Sequence, residues 1–148
     1  MNFRMAALED MELLVDLRKR LLVEEGQVVT ANIDETLKVF FTNQLTSNQY
    51  IQWLVEVDDD VIATGAIQFI AFPPSYFNPT GNRGYILNMY TRSGMRGKGL
   101  ARQMLDRLLD EARTRNVRHL FLISSEMGKP LYKKFGFKEN DIYMEYFL

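Results

Sequence analysis

"MRGKGLARQML", Met95 to Leu105, sets two glycines and two cations directly in front of an apolar helical pattern. Downstream, Ala101, Met104, Leu105, Leu108, Leu109 and Ala112 recur at helical spacing, while Arg102, Asp106, Arg107, Asp110 and Glu111 fall on the opposite, solvated face. "YILNMYT" (85–91) before this helix and "HLFLIS" (119–124) after it read as strands, which makes a βαβ unit with a right-handed crossover. A helix N-terminus carries unpaired N–H groups and partial positive charge, and glycines in front of it let a bulky anion reach the backbone. The junction suits a phosphate, with Arg96 offering a fork of donors and Lys98 a point charge. A strand-to-helix turn that needs only glycine flexibility accounts for the same glycines, so the junction alone leaves both readings open.

What the stretch lacks narrows the ligand. A Walker loop requires a hydroxyl after its Gly-Lys, and here Gly97-Lys98 is followed by Gly99 and Leu100. A dinucleotide fingerprint counted from Gly97 requires Gly or Ala where Arg102 stands, and the unit comes late in the chain, after several strands.

The rest of the chain sets the frame. Its 148 residues fit one domain, 1–148, with no internal repeat or composition break to mark a linker. There is no cysteine, which excludes disulfides, thiolate metal sites and a cysteine nucleophile, and a reducing cytoplasm suits it. Lys+Arg 18 against Asp+Glu 19 leaves a net charge of −1, so no global positive field gathers nucleic acid or anionic lipid. No apolar run approaches the roughly 20 residues that span a bilayer, and a soluble protein is expected.

Asn2 to Met5 reads as a first strand, and Leu14, Leu17 and Leu21 as the inner stripe of a first helix ending before Gly26. Asn32 with Glu35 resembles a capping box that opens a second helix bearing Leu37, Phe40, Phe41 and Leu45. "YIQWLVEV" (50–57) and "VIATGAIQFIAF" (61–72) read as strands joined at Asp58-Asp59-Asp60, a solvated turn that lacks the spaced oxygen ligands of a calcium loop. "FPPSYFNPTGNRG" (72–84) is a loop long enough to border a ligand. A short helix over "KPLYKKF" (129–135), a break at Gly136 and a closing strand "DIYMEYFL" (141–148) complete an α/β domain.

The junction and its neighbours resemble the GNAT N-acetyltransferase superfamily. Its [QR]-x-x-G-x-[GA] signature is matched by Arg96, Gly99 and Ala101, followed in order by "PLYKKFGF" (130–137) and "YMEYFL" (143–148). The resemblance implies a mixed α/β fold: a twisted, mostly antiparallel sheet with one parallel, splayed strand pair and about four helices. It implies acetyl-CoA as co-substrate and no metal. The pyrophosphate would lie on the amides of Gly97, Lys98, Gly99, Leu100, Ala101 and Arg102, with Arg96 opening the loop. The pantetheine would pair with the backbone of Met89, Tyr90 and Thr91. Ser125 stands where many relatives have a cofactor-touching asparagine.

Direct transfer to an amine needs a base for the attacking nitrogen, a donor for the oxyanion and a proton for the departing thiolate. Tyr132 matches the family's tyrosine acid, and a backbone N–H near Met89 or Tyr90 would serve the oxyanion. No carboxylate lies in "YILNMY" or "HLFLIS", so the base is sought among Glu24, Glu25, Asp34, Glu35 and ordered water, while His119 is read as structural. Phe40, Phe41, Trp53, Phe72, Tyr76 and Phe77 are core residues or the lining of an apolar acceptor cleft. The expected activity is acetyl transfer from acetyl-CoA to a primary amine, on a small molecule, an amino acid or a peptide N-terminus. A non-catalytic acyl-CoA-binding or regulatory module and an unrelated phosphate-binding domain are the alternatives. A homodimer through the final strands is a further expectation.

Overall fold

The computed structural model describes residues 1–148. Strands β1 (Asn2–Met5), β2 (Tyr50–Val57), β3 (Asp60–Ala71), β4 (Asn82–Thr91) and β5 (His119–Leu122) form one sheet in that order. The first four are mutually antiparallel, and β5 joins β4 in parallel. Helices α1 (Met11–Glu24) and α2 (Asp34–Leu45) precede β2, α3 (Leu100–Thr114) makes the β4–β5 crossover, and α4 (Lys129–Phe135) follows β5.

The sheet has a core on each face. The α1 stripe of Leu14, Leu17 and Leu21 meets Phe41, Tyr50, Leu54 and Tyr90 on one face. Leu100, Met104, Leu105 and Leu108 of α3 meet Val55, Ile67, Phe69 and Ile86 on the other. At roughly 1.5–3 kcal/mol per fully buried large side chain, these two stripes dominate the stabilisation of the helices. The three aspartates form the expected turn: Asp58 and Asp59 both have positive φ (50° and 64°), a two-residue hairpin turn suited to short polar side chains. Helix α2 begins two residues after Asn32, whose Oδ1 accepts the Asp34 N–H (3.0 Å). No helix is long and apolar enough to cross a membrane.

One expected strand does not form. Residues 141–148 run outside the sheet, with Ile142, Met144, Tyr146 and Phe147 all more than 80% exposed. Alternation of apolar residues states a propensity for extension, but a strand needs a neighbouring edge, and within the chain this segment meets none.

The decisive irregularity is in β4. Its pairing with β3 runs Ala66↔Leu87 and then Thr64↔Tyr90, so Asn88 and Met89 together oppose Gly65 in a β-bulge. Asn88 takes the left-handed conformation (φ 54°), which Asn tolerates better than most residues, and its buried side chain donates from Nδ2 to the Tyr50 hydroxyl (3.0 Å). Gly65 makes the room: a Cβ there would sit 2.5 Å from Met104 Cγ and 2.6 Å from Met89 Sδ. On its other edge β4 pairs with β5 only from Arg83↔His119 to Ile86↔Leu122. From Leu87 to Thr91 that edge is open.

Asn88→Gly should keep the bulge but lose its side-chain bonds, destabilising the protein by about 1–3 kcal/mol in denaturant unfolding. Asn88→Val should cost about 1–2 kcal/mol more, because a β-branched residue resists the left-handed region. Equal stability of the two variants would count against a backbone role for Asn88.

Candidate active site

The open edge of β4 forms one wall of a cavity of about 820 Å³. The end of α1, the start of α3 and the segment from Leu122 to Phe135 supply the other walls. Of the residues singled out from the sequence, Met89, Tyr90, Thr91, Arg96, Gly97, Gly99, Leu100, Ala101, Arg102, Ser125 and Tyr132 all line it.

At one end lies the glycine junction. Gly97 and Gly99 have φ of 73° and 75°, and a Cβ at either would meet nothing within 4 Å. Glycine is needed there for backbone conformation, and the space in front stays clear. The first backbone bond of α3 runs from the Gln103 N–H to the Gly99 carbonyl (3.1 Å), so the amides of Gly97 through Arg102 have no acceptor within the chain. An anion placed against them would meet donors already oriented, at the positive end of a 15-residue helix.

The cations around the junction behave differently from one another. Arg96 donates from Nε to the Thr91 carbonyl (3.0 Å) and pairs with Glu24 at the end of α1. Its charge is therefore largely neutralised, and it ties the glycine loop to α1. Lys98 lies off the cavity, with Nζ 3.6 Å from Met95 Sδ. The Arg102 guanidinium sits 5.3 Å from the Phe135 ring centre, a cation–π contact that holds α4 against α3. The backbone, more than these side chains, offers free donors at the junction.

Tyr132 is presented from α4 by a capped turn. The Ser125 carbonyl accepts from the N–H groups of Gly128 (3.2 Å) and Lys129 (3.1 Å), and Ser125 Oγ accepts from Gly128 N–H (3.1 Å). Ser125 thus shapes the turn before Tyr132 as well as lining the cavity. Burial, and secondarily the Glu25 carboxylate, push the Tyr132 hydroxyl up to about 12, so it stays protonated across the physiological range.

Of the carboxylates considered as bases, Glu24 and Glu25 line the cavity. Glu24 is held by Arg96, whereas Glu25 has no cation within 4.0 Å. Asp34 pairs with Lys19 (2.8 Å) and Glu35 with Lys38 (3.5 Å), and both lie outside the cavity. Of the two readings of the aromatics, packing holds and cleft lining does not: none of Phe40, Phe41, Trp53, Phe72, Tyr76 and Phe77 reaches the cavity. Phe40 and Phe41 pack with Tyr50 under α2, Phe72 packs on Phe121 at the closed end of the strand pair, and Tyr76 and Phe77 lie exposed in the 72–84 loop. His119 stands at that closed end too, paired in register with Arg83, consistent with a structural role. Tyr85, Leu22 and Arg18 line the cavity and carried no signal in the sequence beyond their places in a strand and a helix.

A sheet split between parallel strands, unbonded backbone amides at one end of the split and a protonated tyrosine along it suit an extended ligand with an anionic end. The chain belongs to the acetyltransferase (GNAT) family, whose profile matches residues 16–137. It is accordingly an acyltransferase that uses acetyl-CoA. A predicted acetyltransferase from Clostridium acetobutylicum, crystallised with acetyl-CoA, is 46% identical with a TM-score of 0.96, covering 98% of this chain and 94% of that one. A GCN5-related N-acetyltransferase from Ralstonia eutropha is 25% identical (TM-score 0.92; 99% and 97% covered). Glucosamine-6-phosphate N-acetyltransferase from Arabidopsis thaliana, 20% identical, shares the fold (TM-score 0.73; 99% of each chain covered). No curated protein matches the chain.

Gly99→Asp should place a carboxylate at the anion seat and strain a φ of 75°. Coenzyme A affinity measured by calorimetry should fall at least tenfold, about 1.4 kcal/mol. Unchanged affinity in a folded variant would remove the junction as the phosphate site.

Proposed function

We propose that this domain, residues 1–148, transfers the acetyl group of acetyl-CoA directly to the primary amine of a small acceptor. The observation that carries the reading is that Tyr132 and Glu25 face one cavity that also holds the open edge of β4 and the free amides of α3. The amides of Gly97 to Arg102 would hold the pyrophosphate and the backbone of Met89 to Thr91 the pantetheine, with the thioester carried along the split. A backbone N–H near Met89 or Tyr90 would receive the developing oxyanion.

Three proton events follow from that placement. The attacking nitrogen forms a bond to the acetyl carbon and gives its proton to the Glu25 carboxylate, directly or through water. As the tetrahedral centre collapses, the C–S bond breaks and its electron pair leaves on sulfur. The Tyr132 hydroxyl donates to that sulfur. With its own proton held to about 12, it is a far weaker acid than a thiol of about 8.5. Tyr132 therefore stabilises the thiolate as a hydrogen-bond donor, and the proton that finally neutralises sulfur is the one Glu25 took from nitrogen, passed on through water.

Tyr132→Phe should lower kcat by about 10–100-fold, near the lower end for acid–base catalysis, with little change in KM for acetyl-CoA. In the wild type, kcat/KM should rise with pH as the amine deprotonates and show no fall up to pH 10, because Tyr132 does not titrate below that. A wild-type kcat in the Phe variant, with chemistry rate-limiting, would leave the tyrosine as a packing residue.

We also propose that residues 141–148 pair with a second copy of the chain. The outer edge of β5 has no partner, Ile123 beside it is 68% exposed, and the segment offers six large apolar side chains, all more than half exposed. An exposed extended segment and an exposed edge answer one another. Light scattering should find a dimer at micromolar concentration and a monomer when the chain is ended at Asn140; a monomeric full-length chain would refute the pairing.

A further inference from the structure

We propose that the acceptor amine also carries an anionic group, a carboxylate or a phosphate monoester, and that Arg18 holds it. The inference rests on the transferase reading and names the substrate class of that site.

Helix α1 carries three consecutive cations, Arg18, Lys19 and Arg20. Lys19 pairs with Asp34 (2.8 Å) and Arg20 with Asp16 (2.8 Å). Arg18 has no carboxylate within 4.0 Å, and it is the only one of the three that lines the substrate cavity. Its protein partner is the Asn88 side chain, with Nη1 donating to Oδ1 (3.2 Å). A half-buried guanidinium paired with one neutral oxygen retains donors for an anion, and a planar fork suits a carboxylate or phosphate.

The Asn88 contact is oriented by a chain of bonds that can run only one way. The Trp53 carbonyl can only accept, so the Thr64 hydroxyl donates to it (2.9 Å). Thr64 Oγ1 then accepts from Gln52 Nε2 (2.8 Å), which turns Gln52 Oε1 toward the Tyr50 hydroxyl (2.6 Å). The Tyr50 oxygen accepts from Asn88 Nδ2 (3.0 Å), and Oδ1 is left facing Arg18. Burial raises the Tyr50 hydroxyl further above its ordinary value, so it remains a donor. Gln52, Thr64 and Asn88 are at most 5% exposed. A buried network in which each of these polar atoms is bonded is rigid, and its free end fixes the cation at the cavity wall.

Glu25 supplies the complement. It caps the end of α1, seven positions and about two turns after Arg18, about 10 Å away along the axis. It has no cation of its own, and it is close enough to Tyr132 to raise that hydroxyl. A small molecule with an ammonium at Glu25 and an anion at Arg18 satisfies both charges, and loss of one proton to solvent leaves the neutral amine whose nitrogen attacks at the Tyr132 end. An amino acid or an aminoalkyl phosphate has that form. A peptide N-terminus does not, because its amine has no fixed anion beside it.

The test measures thiol release from acetyl-CoA with matched pairs: phenylalanine and phenethylamine, tyrosine and tyramine, O-phosphoethanolamine and ethanolamine. Anionic members should have at least tenfold higher kcat/KM than their neutral partners, and which pair shows it separates carboxylate from phosphate. Arg18→Met should bring that ratio to about one, mainly through acceptor KM, while coenzyme A affinity holds. Arg18→Lys, which keeps the charge and disturbs the fold least, should retain part of it. Neutral members used as well as anionic ones, or a ratio that survives Arg18→Met, would overturn the proposal. If no amine is turned over, calorimetry with the same pairs on the coenzyme A-loaded protein decides. Selective binding of anionic members upholds Arg18 and sinks the transferase reading, and equal or absent binding overturns the Arg18 assignment.

Discussion

Everything at the site depends on a parallel strand pair that stops pairing partway. Backbone N–H and C=O groups are obligatory hydrogen-bonding groups, and an element that leaves them unpaired must meet solvent or a ligand. Strand β4 is paired with β5 to Ile86 and open from Leu87, and the next helix begins with the amides of Gly97 to Arg102 unbonded. The two sets lie on one cavity. One is a row that an extended chain could pair with and the other a cluster of donors that an anion could meet, so the proposed ligand has an anionic group at one end and a strand-like arm at the other.

The fold showed through in the sequence where period and punctuation agreed. The α3 stripe, the glycines before it and the flanking strands are local signals, each readable within about a dozen residues, and they located most of the cavity lining. The bulge had no such signal. Asn88 reads as an ordinary polar residue in "YILNMYT", and only the β3 register and Gly65 show that it turns the backbone. The pairing of charged residues is silent in the sequence for a related reason. Glu24 and Glu25 are adjacent and alike in sequence, yet one is neutralised by Arg96 and the other is not, a distinction set by a residue 72 positions away. The aromatics mark packing more than a cavity because both faces of the sheet are buried, and aromatic content does not say which core a ring joins. The tail failed because strand propensity names no partner.

The distribution of charge separates holding from reacting. Arg96 is fully engaged by Glu24 and the Thr91 carbonyl, and its contribution is mechanical: it joins the end of α1 to the loop before α3. An ion pair this exposed is worth little to global stability. Its value lies in position, since it closes the cavity between the two elements that must face each other across a substrate. The groups left without partners, Arg18 and Glu25, are those with room for a ligand to complete them.

The same logic explains why the two binding features keep their spacing. Met104 lies one turn into α3 and is essentially buried, and its Cγ occupies the space that a Cβ on Gly65 would take. Gly65 in turn faces the bulge, with Met89 Sδ filling the other side of the gap. Start of helix, central strand and bulge therefore meet at one close-packed point, and interiors of this density transmit displacement instead of absorbing it. A shift of α3 along its axis would drive Met104 into β3 and push on Met89. The unbonded amides at the start of α3 and the open edge of β4 are thus held at a fixed separation by a glycine outside both.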